Sequence, residues 1–206
     1  VTAQVDNSWF GTAFATTSVM AILRGLGVSR SVELAQRAWD LGIDSVELPL
    51  QNDEDAESIR QVAALGAERG KSVGAGTILH VSEIELAREV GASYLVAPGL
   101  DTEVVLAAHE AGMPFLPGVA TPSELQTAQR LGLSWVKAFP ASWLTPQWFS
   151  MMRGPFPDMN FVATGGLNGS NAQSFLDVGV DVVAVGSALE DTAQLKALSA
   201  LASSNR

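Results

Sequence analysis

Along the chain, stretches with apolar residues at helical spacing alternate with short, nearly continuous apolar runs rich in Val, Ile, Leu and Phe. Each helical stretch ends at a glycine, and β-favouring residues follow. Gly42 leads into Ile43-Asp-Ser-Val-Glu-Leu-Pro-Leu50 and Gly91 into Ala92-Ser-Tyr-Leu-Val-Ala-Pro-Gly99, and Gly112, Gly132 and Gly179 repeat the phrase. A glycine just past a helix takes the left-handed conformation that closes the last turn, and a run apolar on both faces suits a strand buried in a parallel sheet. Helix starts are legible too. Thr121-Pro122-Ser123-Glu124 combines an N-cap threonine, a proline at the first helical position and a capping-box glutamate, and Ser82 with Glu85 is expected to repeat the device.

Eight strands are predicted, ending near Arg24, Leu50, Gly76, Pro98, Pro117, Phe139, Thr164 and Val185, each followed by a helical pattern. This alternation predicts an α/β fold, a (β/α)8 TIM barrel, preceded by a short N-terminal helix within residues 1–17. A doubly wound open sheet competes, but it places a glycine-rich phosphate turn after its first strand, where Arg24-Gly25-Leu26-Gly27 is a poor approximation. In a barrel, chemistry belongs at the C-terminal strand ends, which is where the unusual residues of this chain fall.

Composition narrows the setting. The 206 residues, 47% of them hydrophobic, suffice for one domain with a substantial core, and no linker divides them, so residues 1–206 form a single expected unit. There is no cysteine, which excludes a disulfide framework, a thiolate metal site and a cysteine nucleophile. The apolar runs are far shorter than a membrane span and residues 1–17 lack a basic segment followed by an apolar block, so a cytoplasmic protein with no membrane partner is expected. A formal charge of −10 argues against nucleic acid, and it obliges any site for an anionic small molecule to build its own positive potential.

Of the three lysines, Lys71 follows a helix-ending Glu-Arg-Gly and Lys196 lies in a polar C-terminal helix, so both are expected to be solvated. Lys137 stands among Trp135, Val136 and Phe139. Desolvation there disfavours the ammonium and leaves a neutral amine able to attack a carbonyl. The plainer reading is a strand-end lysine that snorkels to the surface. Glu47, between Val46 and Leu48, is either half of an ion pair with an arginine or a buried carboxylate with a task; Arg24 is either an exposed strand-end cation or an anion holder; Thr77 is either a helix N-cap or a ligand. Glu47 and Lys137 each lie five residues after their glycine and Thr77 seven after Gly70. Strand side chains alternate, so these offsets predict that all three face the barrel mouth. Together an amine, a proton-shuttling carboxylate and a guanidinium suited to a carboxylate are the parts of a Schiff-base lyase acting on a 2-oxo acid.

The late glycines suit the other half of such a substrate. Thr164-Gly165-Gly166 closes the seventh strand and Val185-Gly186-Ser187 the eighth, positions from which barrels often hold phosphate. His80 and His109 are expected in a loop and on a helix surface, and no clustered His/Asp set suggests a metal, so no metal and no other cofactor is predicted. The five tryptophans, 9, 39, 135, 143 and 148, are expected to pack or to meet another subunit.

These motifs, taken in order, resemble the 2-keto-3-deoxy-6-phosphogluconate and 2-keto-3-deoxy-6-phosphogalactonate aldolase family, class I barrel aldolases that also include 4-hydroxy-2-oxoglutarate aldolases. The resemblance runs through Ala21-Ile-Leu-Arg-Gly25, Val46-Glu-Leu-Pro-Leu50, Val73-Gly-Ala-Gly-Thr77, Leu116-Pro-Gly-Val-Ala-Thr121, Val136-Lys-Ala-Phe-Pro-Ala141, Thr164-Gly-Gly166 and Gly186-Ser187, nearly the whole chain. It implies a Schiff-base role for Lys137, acid/base chemistry for Glu47, a pyruvate site at Thr77 and Arg24, and a phosphate site at Gly165, Gly166, Gly186 and Ser187. It also implies a phosphorylated keto acid as substrate, pyruvate and glyceraldehyde 3-phosphate as products, and a homotrimer. Gln51 stands where the phosphogluconate branch usually has arginine, and with Arg24 it resembles the phosphogalactonate branch, whereas Thr164 resembles the phosphogluconate branch. Two rivals differ in chemistry: a metal-independent phosphate-binding barrel synthase or isomerase with a non-covalent Lys137, and a silent barrel that senses a sugar-acid phosphate.

Overall fold

Each apolar run becomes a strand and each glycine-ended periodic stretch a helix. The structure is a computed structural model that describes residues 4–203; the side chains of Ser187 and Lys196 are among those outside that description. In chain order the elements are α1 (Trp9–Ala13), β1 (Val19–Ile22), α2 (Gly27–Asp40), β2 (Ser45–Pro49), α3 (Asp53–Arg69), β3 (Ser72–Gly76), α4 (Ser82–Glu89), β4 (Tyr94–Val96), α5 (Thr102–Glu110), β5 (Phe115–Leu116), β6 (Gly118–Val119), α6 (Pro122–Leu131), β7 (Trp135–Ala138), α7 (Ala141–Met152), β8 (Asn160–Thr164), α8 (Ala172–Leu176), β9 (Val182–Val185), a 3-10 turn (Ser187–Glu190) and α9 (Thr192–Ser203). Among the described residues no helix is long and apolar enough to cross a membrane.

The strands pair in parallel in the order β5-β4-β3-β2-β1-β9-β8-β7-β6. β5 and β6 are two halves of one barrel strand, parted by Pro117, which has no N–H to continue a ladder. The lower half pairs with β4 and the upper half with β7, so the sheet closes and the nine segments act as eight staves of a (β/α)8 barrel. Among the described residues no ladder joins β5 to β7 below that break, and Asn7 fills the gap. Its Nδ2 donates to the carbonyls of Phe115 (3.1 Å) and Trp135 (2.9 Å), and its Oδ1 accepts from the amides of Ser134 (2.9 Å) and Trp135 (3.2 Å). The adjoining α1, only five residues long, sends Phe10 into the barrel, and Phe14 just after it follows; both pack with Met20, Tyr94, Leu116 and Trp135. The barrel is thus plugged from its N-terminal end, and free volume remains at the C-terminal mouth.

Outside the barrel, a second apolar layer between strands and helices contains Ala21, Val46, Leu48, Val73, Ala75, Val136 and Val183. The glycines behave as expected: Gly42, Gly70, Gly91, Gly112, Gly132 and Gly179 all have positive φ after their helices. The capping box of Thr121 and Glu124 forms at α6. The one expected at Ser82 does not. Ser82 is the first helical residue, because the Glu83 carboxylate reaches back over the loop to accept from the amides of Leu79 (2.6 Å) and His80 (3.0 Å). Lys71 is not a free solvated cation either; its Nζ lies 2.5 Å from Asp44 Oδ1 and its side chain is 23% exposed.

Candidate functional site

Strand alternation places Ser45 and Glu47 of β2, and Trp135 and Lys137 of β7, inside the barrel. The staves face each other across the interior, and Lys137 Nζ comes to 3.7 Å from Glu47 Oε1, with side chains 5% and 0% exposed. Neither carboxylate oxygen has a hydrogen-bond partner among the described residues. An ion pair so dry, with acceptors left over, is an expensive way to stabilise a fold and a sound way to keep reactive groups ready. Two glycines make the space. A Cβ on Gly76 would stand 2.1 Å from Glu47 Oε1, and one on Gly74 would stand 2.2 Å from the Tyr94 ring. The Tyr94 hydroxyl donates to the Val46 carbonyl (2.8 Å), and burial, reinforced by the Glu47 charge, holds the phenol well above its ordinary range. Tyr94 therefore stays neutral behind the pair.

Thr77 reaches the site by a different route from the one predicted. In β3 the inward positions are Ser72, Gly74 and Gly76, in register with Ser45, Glu47 and Pro49, so continued alternation would turn Thr77 outward. The connection from Gly70 into β3 is one residue shorter than those from Gly42 into β2 and Gly132 into β7, which inverts the parity. The strand ends at Gly76, however, and Thr77 takes φ +64°, a left-handed conformation unusual for a β-branched residue. That turn re-aims the side chain toward the mouth. Arg24 Nη2 then donates to Thr77 Oγ1 (3.3 Å) and Arg24 Nη1 to Gln51 Oε1 (3.4 Å), so three predicted residues from the segments that follow β1, β2 and β3 meet. A non-glycine residue held at positive φ costs about 1–3 kcal/mol and is concentrated at functional sites.

A cavity of about 460 Å³ opens above the pair, lined by Arg24, Thr77 and Lys137 on one side and by Thr164, Gly165, Gly166 and Gly186 on the other. Glu47 lies beneath it. Gly165 and Gly166 have φ of +101° and +75°, and their carbonyls are tied back by Ser142 N (3.0 Å) and Asn171 Nδ2 (3.0 Å). Among the described residues Thr164 Oγ1, buried at the cavity wall, has no hydrogen-bond partner, which leaves a donor and an acceptor for a ligand. The Ser187 side chain lies outside the described residues.

The arrangement can be placed among known proteins. A family model described as KDPG and KHG aldolase matches residues 12–201. The chain belongs to that aldolase family. It is 33% identical over 172 residues, 83% of this chain and 81% of the other, to a probable 2-dehydro-3-deoxy-6-phosphogalactonate aldolase of Rhizobium meliloti. With a 2-dehydro-3-deoxy-phosphogluconate aldolase of Pseudomonas aeruginosa it shares 36% identity over 76% of this chain and 72% of that one. Among solved structures, the 2-keto-3-deoxy-6-phosphogluconate aldolase of Zymomonas mobilis with 3-phosphoglycerate superposes with a TM-score of 0.85 at 25% identity, covering 98% of each chain.

As an aldolase the protein is a carbon–carbon lyase, and its barrel mouth holds more residues than the sequence motifs singled out. Ile22, Leu26, Pro98, Phe139, Asn168 and Glu190 also line the cavity. Phe139 was legible as a neighbour of Lys137 and its ring lies 5.4 Å from the ammonium, a cation–π distance. Glu190, in the turn after β9, gave no local signal. Among the described residues no group of three or more His, Cys, Asp or Glu could hold a metal ion.

Proposed function

We propose that this aldolase reversibly cleaves a 2-keto-3-deoxy-6-phospho-aldonate to pyruvate and glyceraldehyde 3-phosphate through a Schiff base on Lys137, with Glu47 as its acid/base. The buried Lys137–Glu47 contact of 3.7 Å, opening on a cavity with a guanidinium clamp on one side and two glycine turns on the other, carries the reading. Glu47 is the base within reach of the Lys137 amine, which attacks C2 of the keto acid once it has lost its proton; loss of water, with proton transfer through Glu47, gives the iminium. Glu47 next removes the C4 hydroxyl proton, directly or through one water, and the C3–C4 electrons flow into the iminium as the aldehyde departs. Protonation of the resulting enamine at C3 and hydrolysis of the imine release pyruvate and restore the amine.

The remaining residues divide the substrate between them. Arg24, fixed by Thr77 and Gln51, suits the C1 carboxylate, for which a guanidinium offers two parallel donors. The unpartnered Thr164 hydroxyl suits an oxygen between C4 and C6, and Gly165, Gly166, Gly186 and Ser187 suit the phosphate. Arg24 with Gln51 favours the galactonate epimer slightly, with both epimers cleaved. The same reading includes a cytoplasmic homotrimer, supported by apolar side chains open to a partner copy, Trp143 (87% exposed) and Met151 (64%) on α7. The deciding experiment is reduction with borohydride in the presence of pyruvate. It should inactivate the enzyme and leave one pyruvyl adduct per chain on Lys137; an adduct on Lys71 or Lys196, or none, refutes the mechanism.

A further inference from the structure

Charge is unevenly distributed around the cavity. Its two cations, Lys137 and Arg24, serve one end: Lys137 faces Glu47, and the Arg24 guanidinium is drawn toward β2 and β3 by Gln51 and Thr77. The other end consists of the glycine turns after β8 and β9, and there the wall includes Glu190, the last residue of the 3-10 turn. Among the described lining residues no lysine or arginine belongs to that end. Arg30 on α2 feels the Glu190 charge, but it is half-buried and already paired with Glu33 at 2.6 Å. Asp191 follows immediately and adds a second negative charge to the segment.

We propose that Glu190 is a specificity-determining residue: its carboxylate, exposed at the cavity rim, weakens the preference of the distal end for a phosphate dianion and so admits an uncharged, hydroxyl-terminated chain beside the phosphorylated one. The inference rests on the aldolase reading above. Backbone N–H groups at a glycine turn offer a phosphate only partial positive charge, and a full negative charge on the same wall subtracts from it. A sugar hydroxyl meets no such repulsion and can donate to the carboxylate in a charge-assisted hydrogen bond. Phosphate thus gives less advantage here than a cation-lined site would confer, and unphosphorylated 2-keto-3-deoxy acids become competent substrates.

The test measures aldol addition of pyruvate to glyceraldehyde 3-phosphate and to glyceraldehyde by wild type, Glu190→Gln and Glu190→Asp. Removing the charge should raise the ratio of kcat/KM, phosphorylated over unphosphorylated, by roughly 3–10-fold at low ionic strength, the scale of one screened charge near a dianion. The gain should shrink in about 0.5 M salt, where the Debye length is only a few ångströms. Glu190→Asp, which keeps the charge, should hold the wild-type ratio. A ratio unmoved in Glu190→Gln, moved equally by both variants, or indifferent to salt overturns the assignment. Borohydride trapping of pyruvate on the wild type separates the two levels: an adduct on Lys137 with an unmoved ratio removes only the role of Glu190, whereas no adduct removes the aldolase mechanism and this inference with it.

Discussion

Gly76→Ala tests whether the position of Glu47, apart from its presence, sets turnover. A Cβ at residue 76 would stand 2.1 Å from Glu47 Oε1 and 2.8 Å from both Cδ and Cγ. Non-bonded contacts of this kind relax only beyond 3 Å or so, and the carboxylate must therefore retreat by about 1 Å. The Tyr94 ring already fills the space before the neighbouring Gly74, so the buried carboxylate cannot shift along β3 and gives way only by leaving its present position beside Lys137. Gly76 is not among the glycines with positive φ, so alanine brings no backbone penalty and the perturbation is confined to the carboxylate. Misplacing a catalytic group by about 1 Å costs on the order of 10²-fold in rate, while overpacking of this size costs about 1–3 kcal/mol of stability. The assay pairs turnover with release of pyruvate and exchange of the pyruvate methyl protons followed by NMR. Both should fall about a hundredfold, and circular dichroism should show an intact fold. Wild-type turnover in a folded Gly76→Ala enzyme would mean that the carboxylate seen beside Lys137 does not carry the proton.

Three further outcomes are expected. Glu47→Gln should keep the fold and lower turnover by roughly 10²-fold or more, with methyl-proton exchange slowed in parallel; exchange at the wild-type rate removes Glu47 from the mechanism. Asn7→Ala should lower stability by about 2–4 kcal/mol in denaturant melts, since it strips the seam between β5 and β7 of its amide bonds and leaves buried carbonyls and amides unpaired. Thr164→Val removes the unpartnered hydroxyl and should move the kcat/KM ratio of the two C4-epimeric phosphorylated substrates toward the galactonate form by up to about a hundredfold; a ratio indifferent to the substitution shows that Thr164 does not read the sugar.

Much of the site is legible in the amino-acid sequence, because the signals that announce it are local. A lysine inside an apolar run and a glutamate inside another are conspicuous by type, and equal distances from their helix-ending glycines put both in the interior. The same count misleads at Thr77, where a connection one residue shorter inverts the parity and a left-handed residue restores the outcome. Ser82 misleads for a related reason: Glu83 competes for the loop amides and displaces the capping box. The division of one strand at Pro117 is visible along the chain only as a proline; that its two halves serve different neighbours follows from barrel closure.

The rhythm of strands and helices, the caps that terminate them and the residue types available for chemistry are all written locally, since they depend on period, backbone preference and side-chain pKa class within a few residues. What stands next to what is settled by the closed barrel. The approach of Lys137 to Glu47, two positions ninety residues apart in sequence, depends on stagger around the staves. The fit of Gly76 beneath a carboxylate, the Arg24 bridge between Thr77 and Gln51, and the presence of Glu190 on a wall otherwise built for an anion are likewise relations between different staves, distant in sequence and adjacent in the barrel. No local pattern encodes them, because the free energy of a non-local contact exists only once the loops that separate its partners have closed.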